Sequence, residues 1–240
     1  MKRTIIIEGN IGAGKSTLLR RLADTQFSSF KHVVVQEPVD EWESLRDASG
    51  HSILQQFYSN MPQNAFTFQA FILLTRVERM QRAVAENPDA VVFCERSHMT
   101  DRNIFVKGLV DTGVMTEMQT KVFDRMYNTL TAQSSALKVD GIIYMRTSPE
   151  TCMQRISSRG RGGEDSISPK YLGGLHAAHE DWLTASANVL TVDGEQDLTQ
   201  EAFWNAALRN IEAFAAAPAA AGQQAGEQDF MWDQALPLTK

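Results

Sequence analysis

The chain has 240 residues, 43% of them hydrophobic, and a formal net charge of −6. That is enough for one globular domain with a full core, and the acidic balance excludes a general nucleic-acid binder, whose phosphate contacts need a basic face. No apolar run approaches the ~18 residues of a membrane span, and no N-terminal stretch has the charged, apolar and small-residue order of a signal peptide. The expectation is a cytoplasmic protein, or a mitochondrial one if a transit peptide has been removed. Cys94 and Cys152 lie in apolar or helix-like runs with nothing spaced to complete a zinc set, so they are expected to be reduced and buried.

Five short β-branched runs, at residues 5–7, 33–35, 91–93, 142–145 and 189–192, read as strands covered on both faces. Between them lie segments of helical period. Over 66–85 the residues Ala70, Phe71, Leu74, Val77 and Met80 form one apolar stripe, and a second helix is predicted over 115–130. Strands alternating with helices predict a parallel sheet in a three-layer α/β sandwich, with functional side chains just after the carboxyl ends of the strands. The domain is expected to span 1–214. Residues 215–240 read as a low-complexity linker and a tail carrying Phe230, Met231 and Trp232.

After the first predicted strand, Gly9, Gly14, Lys15 and Ser16 fit G-x-x-x-x-G-K-[ST], with Gly12 as an extra glycine inside. Glycines let backbone N–H groups converge on phosphate oxygens, the lysine reaches the outer phosphates, and the serine hydroxyl ligates Mg²⁺. Gly9, Asn10, Gly12, Ala13, Gly14, Lys15, Ser16 and Thr17 are therefore the expected ATP cradle. A glycine-rich turn with a surface lysine would not explain the position between a buried strand and an amphipathic helix.

The motifs after the other strands bear on where the phosphate goes. No Asp-x-x-Gly stands directly after a predicted strand, as a GTPase switch would require, and no Asn-Lys-x-Asp base-reading motif is present. The third strand ends in Glu95-Arg96, a carboxylate that can hold the Mg²⁺ shell and a guanidinium that can contact a transferring phosphoryl group. Glu37, after the second strand, is placed to act as a base toward a hydroxyl acceptor, with Trp42 suited to walling a pocket. Arg155 and Arg159 follow the fourth strand four apart on one helix face, with Arg161 at the helix end, and the three can clamp a donor's phosphates as a lid.

With these residues in hand, the chain resembles the deoxyribonucleoside kinases, a family that includes deoxycytidine and deoxyguanosine kinases. The matching stretches are IEGNIGAGKST, EPVDEW, FTFQAFILLTR, CERSHMTDRNIF, DGIIYMRTSPETCMQRISSRGR and YLGGLHAAHEDWL, in order over residues 4–198. The resemblance implies a P-loop kinase fold, with a five-stranded parallel sheet and an arginine-rich lid. It implies transfer from ATP, or another nucleoside triphosphate, with Mg²⁺, to a deoxynucleoside 5′-hydroxyl at the first step of salvage. By position, Glu37 is then the general base, Arg96 the group near the 5′-oxygen and phosphate, and Glu95 and Ser16 the Mg²⁺ shell. Tyr58 and Glu164 would hold the sugar 3′-hydroxyl, and Gln69 with Phe68 the base edge. Ile11, Trp42, Leu54, Phe57 and Phe105 would line the pocket, and Asp197 and Leu198 the donor's base.

Within such a family, the base is expected to be chosen by Gln69, Arg76 and Asp101, with Ile72 beside them. An ionised Asp101 accepts from an exocyclic amine but repels thymine O4, so deoxycytidine and purine deoxynucleosides are expected to be favoured over thymidine. The lid reads Arg161-Gly162-Gly163-Glu164, leaving one acid where relatives often carry two. His176 and His179, beside Glu180, are expected to be a solvated helix face. A nucleoside-monophosphate kinase would need further basic groups facing its acceptor. A non-catalytic nucleotide-binding interaction module would leave Glu37 and the lid arginines without a task. The long apolar helices predict a homodimer, with a small-molecule nucleoside and nucleotide, not a nucleic-acid polymer or a membrane, as the other partners.

Overall fold

The computed structural model describes residues 2–218 except 133, 161–163, 165–166 and 185. Arg161, Gly162, Gly163 and the tail with Phe230, Met231 and Trp232 thus lie outside the described residues. Strands β1 (Arg3–Glu8), β2 (His32–Val35), β3 (Val91–Glu95), β4 (Gly141–Arg146) and β5 (Val189–Asp193) form one parallel sheet in the order β2-β3-β1-β4-β5. In the centre, Ile6 pairs with Cys94 on one side and Ile142 on the other. β1 and β3 are wholly buried, as their unbroken apolar runs require.

Parallel strands need crossovers, and these are helical: α1 (Lys15–Ala23), α2 (Val39–Ser44), α3 (Ile53–Ser59), α4 (Met61–Glu86), α5 (His98–Thr100), α6 (Lys107–Asp111), α7 (Glu117–Thr131), α8 (Pro149–Arg159), α9 (Pro169–Leu183) and α10 (Glu201–Ala216). Asp101–Val106, between α5 and α6, winds as a π-helix. The sheet buried between helices is the expected α/β architecture. Cys94 and Cys152 are free and buried, and burial raises their thiols to about 12 and about 11.

α4 departs from the expected face. It begins at Met61, where the Asn60 side chain accepts from Gln63 N, and turns Phe68, Gln69, Ile72, Leu73, Arg76, Val77 and Met80 inward. Leu74, placed in the apolar stripe by its hydropathy, is 48% exposed, and Ala70 and Phe71 are only half-buried. The cause is Gln69 and Arg76, two polar side chains that go inward and rotate the helix away from the purely apolar solution.

One close approach fixes where α8 sits. Gly12 has φ +79°, and a Cβ there would lie 2.5 Å from the Cys152 carbonyl oxygen of α8. Gly12→Ala therefore meets both a left-handed backbone and a backbone atom that cannot step aside. A thermal melt of this variant is expected to show a Tm lower by roughly 3–10 °C.

Candidate active site

β1 ends at Glu8, the chain loops through Gly9 to Gly14, and α1 starts at Lys15. Gly9 has φ +146°, and a Cβ on it would lie 2.7 Å from the Met145 carbonyl oxygen, so this turn too accepts no side chain. Asn10 braces the loop: its Oδ1 accepts from Ile11 N at 2.8 Å and its Nδ2 donates to Leu172 O of α9 at 2.9 Å. Lys15 Nζ donates to the carbonyl oxygens of Gly9 (3.0 Å) and Asn10 (2.8 Å). Burial and the Arg96 charge lower its pKa to about 8 against the pull of Glu95, Glu37 and Glu8. Ser16 Oγ donates to both oxygens of Glu95, at 3.0 and 3.2 Å.

Behind the loop four elements meet through charge. Glu37, just past β2, accepts from Arg96 Nη1 at 3.0 and 2.9 Å and from Arg76 Nη2 at 2.9 Å. Burial alone would raise this carboxyl, but Arg96, Arg76 and Lys15 outweigh it and hold the pKa near 2. Arg96 reaches Glu37 from a backbone φ of 59°, unusual for a side chain of its size. Its Nη2 donates to Gly9 O at 3.3 Å, and its guanidinium lies 5.0 Å from the Phe105 ring centre. Arg76, 2% exposed, donates through Nε to both oxygens of Asp101, at 3.1 and 3.0 Å, and stacks over Trp42 at 5.5 Å. Burial raises Asp101 to about 6 although Arg76 opposes it.

Lys15, Ser16, Glu37, Arg76, Glu95 and Arg96 face a cleft of about 960 Å³. At one end lie Gly12, Lys15, Ser16, Thr17, Arg155, Arg159, Asp197 and Leu198; at the other lie Trp42, Leu54, Phe57, Tyr58, Phe68, Gln69, Ile72 and Arg76. Glu37, Glu95 and Arg96 sit between the two ends on the cleft wall. Phe57 stacks on Phe68 at 4.6 Å, and Trp42 meets Phe68 edge-on at 6.0 Å, making a flat apolar slot. Within it Gln69 is 1% exposed, and its Oε1 has no hydrogen-bond partner among the described residues.

Most residues singled out from the sequence therefore gather on one cleft, including Ile11, Ala13, Gly14, Phe105 and Glu164. Gly9, Asn10 and Asp101 do not line it; the first two shape the loop from behind, and Asp101 stands behind Arg76. Glu164 is paired with Arg159, whose Nε donates to it at 2.7 Å, and Arg155 Nη1 donates to Ala13 O at 3.3 Å.

Sequence reasoning missed several lining residues. Tyr171, in the first turn of α9, faces the cleft near Tyr58, and burial raises its hydroxyl to about 12. Its signal was the YLGGLH stretch, whose tyrosine carried no assignment. Arg79 also lines the cleft and donates to Asp40 (3.2 Å) and to Glu41 of α2. The reading of His179 as part of a solvated face is overturned: it is 1% exposed, held between Leu175 O and the carboxyl of Glu8. An unbranched polar spacing carries no sign of a buried acid in β1, so the sequence had nothing to oppose the solvated reading.

Comparison with known proteins bears directly on this arrangement. Residues 5–211 match the deoxynucleoside kinase family. Deoxycytidine kinase 2 of Gallus gallus is 36% identical over 200 residues, covering 75% of this chain and 74% of its own. Deoxycytidine kinase of Homo sapiens is 34% identical over 228 residues, with 81% and 85% covered. The mitochondrial deoxyguanosine kinase of Xenopus laevis is 29% identical over 211 residues, with 82% and 78% covered. A phosphate-binding loop, a carboxylate beside it and an aromatic slot share one cleft here, and the chain belongs to the deoxynucleoside kinase family: it is an enzyme that transfers a phosphoryl group from a nucleoside triphosphate to a deoxynucleoside.

Proposed function

We propose that the enzyme phosphorylates the 5′-hydroxyl of deoxycytidine and the purine deoxynucleosides in preference to thymidine, with ATP and Mg²⁺. The observation that carries this reading is Arg76, buried beside Gln69 at the base end of the cleft and held at once by Asp101 and Glu37. Asp101 gives both oxygens to Arg76 Nε and so fixes which N–H groups of that guanidinium face the base edge, leaving the unpartnered Gln69 oxygen as the acceptor there. That oxygen accepts from an exocyclic amine and opposes the O4 oxygen of thymine.

The Ser16 hydroxyl and the Glu95 carboxylate are hard oxygen donors already in contact, the type Mg²⁺ takes together with phosphate oxygens. They fit that ion, which when bound neutralises charge on the transferring phosphate. Lys15 exchanges its carbonyl partners for phosphate oxygens, with Arg155 and Arg159 over the donor and Asp197 and Leu198 beside its base. Arg161, outside the described residues, is assigned to the same lid. Glu37 accepts a hydrogen bond from the 5′-hydroxyl and takes its proton as the new O–P bond forms. A base held near 2 removes no proton early. It orients the hydroxyl, which suits a loose transfer in which the acceptor's acidity rises late. Tyr58 and Glu164 are assigned to the sugar 3′-hydroxyl and Phe68 to the face of the base.

The apolar residues left exposed on α4 and α7, Leu74, Met118 and Val122, support a homodimer through these two packed helices. Among the described residues no helix is long and apolar enough to cross a membrane. The two free thiols suit a reducing compartment such as the cytoplasm.

Incubation with ATP-Mg²⁺ and each of the four deoxynucleosides, reading monophosphate formed, is expected to give kcat/KM for thymidine lower by about tenfold or more. Thymidine as the best substrate would overturn the preference. Glu37→Gln is expected to lower kcat by about 100-fold or more while ATP affinity, read by titration calorimetry, stays near wild type. Asp101→Asn loosens the hold on Arg76 and frees its guanidinium to donate to a carbonyl such as thymine O4, and the thymidine to deoxycytidine ratio of kcat/KM is expected to rise about fivefold.

A further inference from the structure

Glu8 is the last residue of β1, directly ahead of the phosphate loop, and is fully buried. Its Oε1 accepts from the Thr100 hydroxyl, in the turn after β3. Its Oε2 has no hydrogen-bond partner among the described residues. That oxygen faces Nε2 of His179 on α9 at 3.9 Å, and this nitrogen has no hydrogen-bond partner there either. The other ring nitrogen, Nδ1, lies 2.7 Å from the Leu175 carbonyl oxygen. A carbonyl only accepts, so Nδ1 carries the ring proton and Nε2 of the neutral ring presents a lone pair. An ionised Glu8 would also present only lone pairs. Two acceptors would then oppose each other in a space closed to water, each bearing the cost of an unmet buried polar group. A single proton on Oε2 removes that opposition, and a closure of about 1 Å from the 3.9 Å separation makes it a hydrogen bond to Nε2.

We propose that Glu8 and His179 hold one shared proton and act as a positioning pair, whose charge tunes how tightly the phosphate loop grips the donor's phosphates. The proposal rests on reading Lys15 and its loop as the donor cradle. Facing Glu8 are the cations Arg96, Lys15 and Arg76, from the turn after β3, from α1 and from α4. Facing His179 are Arg96 and Lys15 again, with His176 on its own helix. The Tyr144 ring of β4 lies parallel to the imidazole at 6.0 Å, and its hydroxyl is engaged by Glu180, which Arg146 also holds. Burial raises the Glu8 carboxyl to about 7, with the Thr100 bond and the three cations opposing. Burial lowers the imidazole to about 3, so the proton stays on the carboxyl and points at Nε2.

The sign follows. With its proton the pair is neutral; without it the pair places one negative charge behind Lys15, and that charge repels phosphate. Donor affinity therefore falls as pH rises through about 7. α9 is fastened to the loop at two points, Glu8 to His179 and Asn10 to Leu172, so the pair also sets where the loop sits against the sheet.

Two measurements test this. In ¹⁵N spectra of the wild-type imidazole between about pH 5.5 and about pH 8.5, the Nδ1 of His179 is expected to stay protonated while Nε2 shifts with a midpoint near neutrality. No such transition would overturn the shared proton, and this readout needs no variant. Glu8→Gln carries an N–H that donates to Nε2 at every pH, copying the protonated form. The Kd of a non-hydrolysable ATP analogue with Mg²⁺ is then compared between about pH 6 and about pH 7.5. The ratio of wild type to variant is expected to rise about threefold to tenfold. A ratio that stays flat would overturn the link to phosphate binding. An analogue that binds neither protein would instead overturn the donor-cradle reading, leaving the imidazole result to stand by itself.

Discussion

The guanidiniums of Arg76 and Arg96 lie buried beside the cleft, and carboxylates hold both of them there. Arg76 comes from α4, Arg96 from the turn after β3, Glu37 from the segment after β2 and Asp101 from the π-helix. A buried ion pair does little for net stability, because desolvation offsets its attraction; removing one member, however, strands the other at a cost of about 3–5 kcal/mol. The network is therefore a geometric device. It forces four separately folded segments to meet at one place, and that place is the middle of the cleft.

The same constraint explains the odd local structure around it. Arg96 accepts a left-handed backbone because its guanidinium is tied to Glu37 and to the Gly9 carbonyl at once. Lys15 is likewise held by backbone carbonyls, with its charge weakened by burial beside Arg96. Phosphate oxygens would replace those carbonyls with stronger partners, so the loop is built to a shape before the donor arrives, which lowers the ordering cost of binding. Glycine at 9 and 12 serves this from outside, letting β4 and α8 press against the loop.

The strands and the loop were legible because their signals are local: unbroken β-branched runs, and a glycine motif placed between a strand and a helix. The meeting of Glu37, Glu95 and Arg96 followed from the parallel topology, which gathers strand ends. The inward face of α4 was not legible, since hydropathy puts Gln69 and Arg76 outside while the acids that hold Arg76 inside lie far along the chain. The π-helical turn at Asp101–Val106 left no compositional mark. His179 was misread for a related reason: its partner, Glu8, closes a strand whose sequence signal is only the apolar run of residues 5–7. In each failure a buried polar side chain was matched to another more than twenty residues away, and periodicity cannot see such a match.

The amide of Gln69 has a wider consequence. Its oxygen is already stripped of water at the floor of an aromatic slot, with no protein group answering it among the described residues. The protein thus carries the desolvation cost of that atom at all times, and a ligand recovers it only by offering a donor at that point. A nucleoside analogue that swaps such a donor for a methyl or a halogen of similar size would still fill the slot and stack well, but would leave the oxygen unanswered. Medicinal modification of the sugar can be judged by fit, while modification of the base edge has to be judged by hydrogen-bond polarity first.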